Sequence, residues 1–174
     1  WYTFRWAYTV ELTPRKVRLF GRGTREEPEL VKAIESVGIR FYGDQDEVVA
    51  CYGHAKGHRD GAAIDVPEAP KTEHLVEFKT ANDKSFKDLC KQGVKASKPE
   101  YFAQCQAYMK LFKLTRTLFV TVNKNDDSIY TERIKYDSKY AEMLLKKAED
   151  IILSENPPEK KFPPTWWKCK WCDA

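Results

Sequence analysis

The chain has 174 residues, 42% of them hydrophobic and 32% charged, with a net charge of +4, which is enough apolar material for one core and excludes a disordered or fibrous class. Its nearest approach to a membrane span, Arg116 to Val122, falls far short of the roughly 20 apolar residues a bilayer crossing needs. No basic, apolar and small-residue signal opens it, so a soluble, cytoplasmic protein without a membrane partner is expected.

From the first residue, the aromatic and alternating stretch Trp1 to Leu12 reads as an edge strand. Thr24 followed by Glu27 forms a capping-box pattern, Leu30, Val31, Ile34 and Val37 recur at helical spacing, and Gly38 stops the run, which predicts a helix over 24–37. Strand-like runs follow at Glu47 to Tyr52, Ala62 to Val66 and Leu75 to Thr80. A lysine-rich loop is expected from Asn82 to Lys98, then a helix from Pro99 to Leu114 with Phe102, Cys105, Met109 and Phe112 on one stripe. Leu118 to Asn123 and Ile129 to Tyr136 read as two more strands, and Ser138 to Ser154 as a last amphipathic helix. The order predicts an α/β fold, a small central mixed sheet flanked by helices, over residues 1–155. Residues 156–174 read as a Pro/Lys-rich tether ending in a Cys-x-x-Cys pair. Because the chain opens on Trp1, it is expected to be a piece of a longer protein.

Chemistry concentrates between Gly57 and Lys79. Residues two apart on a strand share a face, so Glu77 and Lys79 project together, and a hairpin connection brings Asp60 beside them. Two carboxylates and an ammonium in one pocket suit Mg²⁺-assisted attack of water on a phosphodiester. Taken alone, Glu-x-Lys is more often the solvent face of an antiparallel strand. Glu27 falls on the apolar stripe of its helix, where an inward carboxylate needs a partner or a metal, although it also answers Thr24 as a capping residue. Gln104 and Tyr108, one turn apart, border the apolar stripe of the later helix. Asp65 competes with Asp60 as a metal carboxylate, but lies inside its strand directly before Val66 and Pro67.

Taken in order, Gly23-Thr24-Arg25-Glu26-Glu27-Pro28, Asp60-Gly61, Glu77-x-Lys79 and Tyr101-Phe102-Ala103-Gln104-Cys105-Gln106-Ala107-Tyr108-Met109 resemble the motif series of PD-(D/E)XK nucleases. The likeness is to the phage lambda exonuclease branch, with kinship to RecB-type domains, over roughly residues 20–155. It implies a restriction-endonuclease-like core and a Mg²⁺- or Mn²⁺-dependent DNA exonuclease of phage-type recombination or DNA processing. In that reading Asp60, Glu77 and the backbone carbonyl of Phe78 hold the metal, and Lys79 serves the nucleophilic water. Glu27 adds a carboxylate at or near the ion, and Gln104 orients the site. Tyr108 completes the Gln-x-x-x-Tyr spacing of the RecB-type relatives and is counted among the DNA contacts. Partners would be DNA, a single-strand annealing protein and further copies of the chain, in a host cytoplasm if the chain is phage-encoded. A structure- or sequence-specific endonuclease and a catalytically inactive nucleic-acid-binding module remain alternatives.

Further DNA contacts are expected from Arg22 and Arg25 near the start of the first helix, from His58, and from Lys84, Lys87, Lys91 and Lys95, which together with Lys98 should border the site. Five cysteines at irregular spacing argue against a disulfide framework. Cys169 and Cys172 have metal-knuckle spacing, and RecB-type relatives with an iron–sulfur cluster carry such a pair at a similar place. Two thiolates leave a tetrahedral site half filled, so a cluster or zinc is expected only in a longer form of the chain. Cys51, His54 and His58 read as a strand end and turn rather than zinc ligands.

Overall fold

A computed structural model describes residues 12–157 together with 159, 163, 165 and 166. The predicted edge strand over Trp1 to Leu12, apart from Leu12 itself, and the pair Cys169 and Cys172 lie outside the described residues.

The first helix, α1 (Pro14–Ser36), begins ten residues before the predicted start. Thr13 caps it, accepting from the Lys16 N–H at 3.3 Å, and Pro14 stands where no backbone donor is required. Thr24 is therefore helix interior, its hydroxyl donating back to the Phe20 carbonyl at 3.5 Å, and Glu27 is released from any capping role. Leu30 and Ile34 form the buried stripe.

Two short strands escaped the sequence reading: β1 (Arg40–Tyr42) and β3 (Ala55–His58). Neither shows a legible alternation, since one is three residues long and the other is Ala-Lys-Gly-His. β2 (Glu47–Ala50) pairs with β3 as a separate hairpin, closed by a 3₁₀ turn at Cys51–Gly53. β4 (Gly61–Ile64), β5 (His74–Ala81), β6 (Arg116–Asn123) and β7 (Ile129–Lys135) complete a five-stranded sheet in the order β1-β4-β5-β6-β7. The β5–β6 pair is parallel and the others antiparallel, so the sheet is mixed, as predicted.

The parallel crossover contains two helices, not a loop and one helix. α2 (Asp83–Ser97) occupies the segment expected to be a lysine-rich loop and leads into α3 (Pro99–Phe112). Phe86, Leu89 and Val94 are buried at near-helical spacing, Asn82 caps the start, and the lysines are its solvent face. Gly93, at φ 72°, breaks the helix once and frees the Val94 N–H, which donates to Glu132 of β7 at 2.7 Å. The last helix, α4 (Ser138–Leu153), is capped by Asp137.

Strand alternation divides the core into two layers. Val76 and Phe78 of β5, with Leu118, Val120 and Val122 of β6, pack on Leu30 and Ile34 of α1. Leu75 and Phe119 face Leu89 of α2 and Phe102, Cys105 and Met109 of α3. Glu77 and Lys79 alternate with Phe78, so they lie on the α3 side.

Candidate active site

β4 accompanies β5 for only three residues: Gly61 pairs with Val76, Ala62 with Leu75 and Ala63 with His74. Beyond Val76, β5 keeps only β6 as a neighbour, so the sheet opens as a fork. Continuing the register by one residue puts Asp60 against Glu77. Asp60 turns into the opening, and its Oδ2 accepts the Phe78 N–H at 2.7 Å. In an extended strand the N–H and C=O of one residue point to the same edge, so the Phe78 carbonyl faces the opening as well.

The neighbours of this corner fix its position. Arg59, only 11% exposed, donates from Nε to Asp46 Oδ2 at 3.1 Å and stands over the Phe112 ring at 4.9 Å. This ties the β2–β3 hairpin and α3 to the residue before Asp60. Gly61 has no side chain because the Phe41 ring occupies that volume, and a Cβ at Gly57 would overlap the Tyr108 hydroxyl.

A cleft of about 450 Å³ runs from this fork along α1, lined by Glu27, Asp60, Phe78, Lys79, Tyr101 and Gln104 among others. Glu77 lies beneath it, with no exposed surface, and Lys79 Nζ donates to its Oε1. The Lys79 ammonium also stands 5.4 Å from the Tyr101 ring centre. The other Glu77 oxygen, Oε2, is buried without a hydrogen-bond partner, a condition shared among the described residues only by the hydroxyls of Thr117 and Thr121. An unpartnered carboxylate oxygen costs far more than a neutral hydroxyl.

The closeness of these groups shifts their ionisation. Burial pushes Glu77 up to about 7, with the charges of Asp60 and Glu27 adding to the rise and Lys79 opposing it. Burial also raises Asp60, against Lys79 and the Phe78 N–H. Glu27 is raised by burial and then by Asp60. Burial pulls Lys79 down, but its attraction to Glu77 and Asp60 outweighs this and raises it. Three carboxylates facing one ammonium form a site that a cation would neutralise. Glu77 Oε2, Asp60, the Phe78 carbonyl and Glu27 are hard oxygen donors of the kind Mg²⁺ or Mn²⁺ takes. Among the described residues, however, no three His, Cys, Asp or Glu side chains are already disposed as a metal cage. One Glu77 oxygen is engaged by Lys79.

The structure thus gathers Glu27, Asp60, Lys79 and Gln104 on one cleft, with Glu77 directly below. The cleft opens within the sheet, at the β4–β5 fork, rather than at its outer edge. Tyr108 lies one turn from Gln104. Burial and then the Glu77 charge raise its hydroxyl, and Gln104 opposes the rise. Asp65 is held elsewhere, by Arg40 at 2.5 Å. Arg22 and Arg25 lie in the middle of α1, not near its start. Arg22 pairs with Glu26 at 3.3 Å and reaches the Lys124 carbonyl. His58 pairs with Glu47 at 3.2 Å on the β2–β3 hairpin.

Contrary to expectation, Lys84, Lys87, Lys91, Lys95 and Lys98 are not among the residues lining the cleft. Lys87 is paired with Asp83 at 2.7 Å, and Lys95 stands over the Phe102 ring. The sequence reading missed Lys124 and the role of Tyr101 as a wall. Tyr101 was findable, since it precedes Gln104 by three residues on α3. Lys124 follows β6 with no local signal.

No family model matches the chain, and no curated protein matches it. Solved structures do. The LHK-Exo structure in complex with dAMP is 21% identical, with a TM-score of 0.63, over 85% of this chain and 72% of that one. A second structure, of the alkaline exonuclease LHK-Exo from Laribacter hongkongensis, gives 22% identity and a TM-score of 0.58 over 85% and 75%. The fold is therefore shared with this alkaline exonuclease.

Proposed function

We propose that this chain is a divalent-metal-dependent DNA nuclease that cuts phosphodiester bonds from a strand end. The observation that carries the reading is the buried Glu77 oxygen left unpartnered beside Asp60 and Lys79, under an open cleft. Such an oxygen is costly to leave buried and unpartnered, and a bound divalent cation would satisfy it. The likeness in fold to an alkaline exonuclease, one of whose structures holds dAMP, supports the same reading.

Asp60, Glu77, the Phe78 carbonyl and Glu27 would hold Mg²⁺ or Mn²⁺, which when bound lowers the pKa of water and neutralises phosphate charge. Lys79, steadied by Glu77 and the Tyr101 ring, presents its ammonium to the cleft, where it orients the attacking water and balances the charge of the phosphate. Gln104 fixes the α3 wall through Tyr108, and Tyr108 locks the β3 side by filling the space above Gly57. The recombination setting, an annealing partner and oligomer formation extend the motif resemblance rather than the site.

The test is linear duplex DNA beside a covalently closed circle of the same sequence, with Mg²⁺, Mn²⁺, Ca²⁺ or EDTA. Loss of the linear form alone, with Mg²⁺ or Mn²⁺ and not with Ca²⁺, supports the exonuclease. Cutting of the circle makes it an endonuclease with the same chemistry. Full activity in EDTA removes the metal, and parent and Glu77→Gln that are equally inert leave a binding module.

A further inference from the structure

Outboard of the cleft, the first three turns of α1 carry side chains for which the folded core has no use. Leu19 and Phe20 are 47% and 56% exposed, yet both line the cleft mouth. From Pro14 to Arg25 the helix has five basic residues and no acidic one. Arg15, Lys16 and Arg18 make no side-chain ion pair or hydrogen bond among the described residues.

Helical spacing orders these groups. Residues four apart stack on one face, so Arg15, Leu19, Gly23 and Glu27 form one row and Lys16, Phe20 and Thr24 the next. Passing outward from Glu27, the helix presents a small rung (Gly23, Thr24), an apolar and aromatic rung (Leu19, Phe20) and a cationic rung (Arg15, Lys16). At about 1.5 Å per residue, Phe20 stands about 10 Å from Glu27 along the axis and Lys16 about 16 Å. In a stacked strand, at about 3.4 Å per nucleotide, Phe20 is about three nucleotides from the carboxylate.

We propose that the outer half of α1 is a track for an unpaired DNA strand entering the cleft, with Phe20 stacking on a base and Arg15 and Lys16 holding the phosphates beyond it. The inference rests on the nuclease reading, which identifies the polymer. An aromatic face beside cations is what a single strand uses, because its bases have open faces and its backbone is anionic. A duplex offers no open base face along its length. An acidic peptide would match the cations and leave the aromatic rung idle.

The experiment is fluorescence anisotropy in EDTA, so that no turnover occurs, with a labelled deoxythymidine oligomer about 10 nucleotides long. Stacking on an aromatic is worth about 1–3 kcal/mol per base, so Phe20→Ala should weaken binding about fivefold or more. Phe20→Trp should restore it, with its indole emission quenched on binding. The Arg15→Gln/Lys16→Gln double variant should lower the slope of log affinity against log salt by about 1.4. All these side chains are exposed, so the variants should melt with the parent, and the Phe20→Trp quench decides the matter if Phe20→Ala fails to fold. Parent-like affinity in Phe20→Ala overturns the track, even if the cations matter. Tighter binding by Phe20→Ala overturns it too, and assigns the ridge to a segment of the chain itself. A parent that binds but never hydrolyses DNA in Mg²⁺ would sink the nuclease reading and leave this result standing.

Discussion

Two parts of the same sheet bury polar groups, and they treat them oppositely. On the β7 side, Glu132 accepts from the Val94 N–H and the Tyr130 hydroxyl, both at 2.7 Å. Gln106 donates to the Lys135 carbonyl and accepts from the Asp137 N–H. His74 contacts the Thr72 carbonyl at 2.8 Å and accepts from Arg133. At the β4–β5 fork, Asp60 and Glu77 crowd together, with one Glu77 oxygen unpartnered. Fully partnered polar groups knit a core, whereas a carboxylate left wanting is a cost the fold carries for a ligand. The contrast supports the fork as the proposed site independently of any motif.

The sharpest way to break that contrast is Glu77→Gln. Hydrolysis of linear DNA in Mg²⁺ should fall by about a thousandfold or more, while the circular dichroism spectrum of the folded protein holds. Parent-like turnover would show that the fork is not the site.

Gly61→Ala tests whether the fork's geometry is held by packing. Its Cβ would collide with the Phe41 ring, so urea unfolding should register a loss of about 1–3 kcal/mol. Activity should drop as Asp60 shifts. An unchanged midpoint would mean that β1 yields freely.

On the other side, Glu132→Gln should cost about 1–2 kcal/mol in urea unfolding by weakening the hold on Val94 and Tyr130. The specific activity of the folded protein should stay at the parent's level. Loss of turnover at full stability would abolish the division between the two regions.

A further test is in pH. Glu77 titrates near 7 in the fold against an ordinary 4.5, so the unfolded chain gives up this proton first. Stability from this group is full below about 4.5 and is lost as pH rises through about 7. In EDTA the melting temperature should therefore decline by a few degrees across that window, and Glu77→Gln should flatten the decline. A melting temperature that rises there in the parent, and not in the variant, would contradict the burial of Glu77.

Much of this was legible in the residues because it depends on local periodicity. The shared face of Glu77 and Lys79, the α3 stripe and the mixed sheet follow from repeats of two and of three to four residues. Where local signals misled, they were real but incomplete. Thr24 and Glu27 have the spacing of a capping box, yet Thr13 and Pro14 start the helix earlier. The lysines after Asn82 marked a solvent face, and the sparse row Phe86, Leu89 and Val94 beneath them was the helix.

Sequence alone determined the longer strands, α3, α4 and the roster of acids and bases, since side-chain direction along a strand or helix is set by backbone geometry, but not β1, β3, α2 or the start of α1. Tertiary structure decided which of them meet. The early parting of β4 from β5 brings Asp60 to Glu77, and the full length of α1 carries Glu27 over the opening and Phe20 beyond it. It also left the lysines of α2 outside the cleft lining. These outcomes depend on contacts between residues far apart in the chain, where strand register and helix length are settled by burial against the whole core, and no local pattern encodes that.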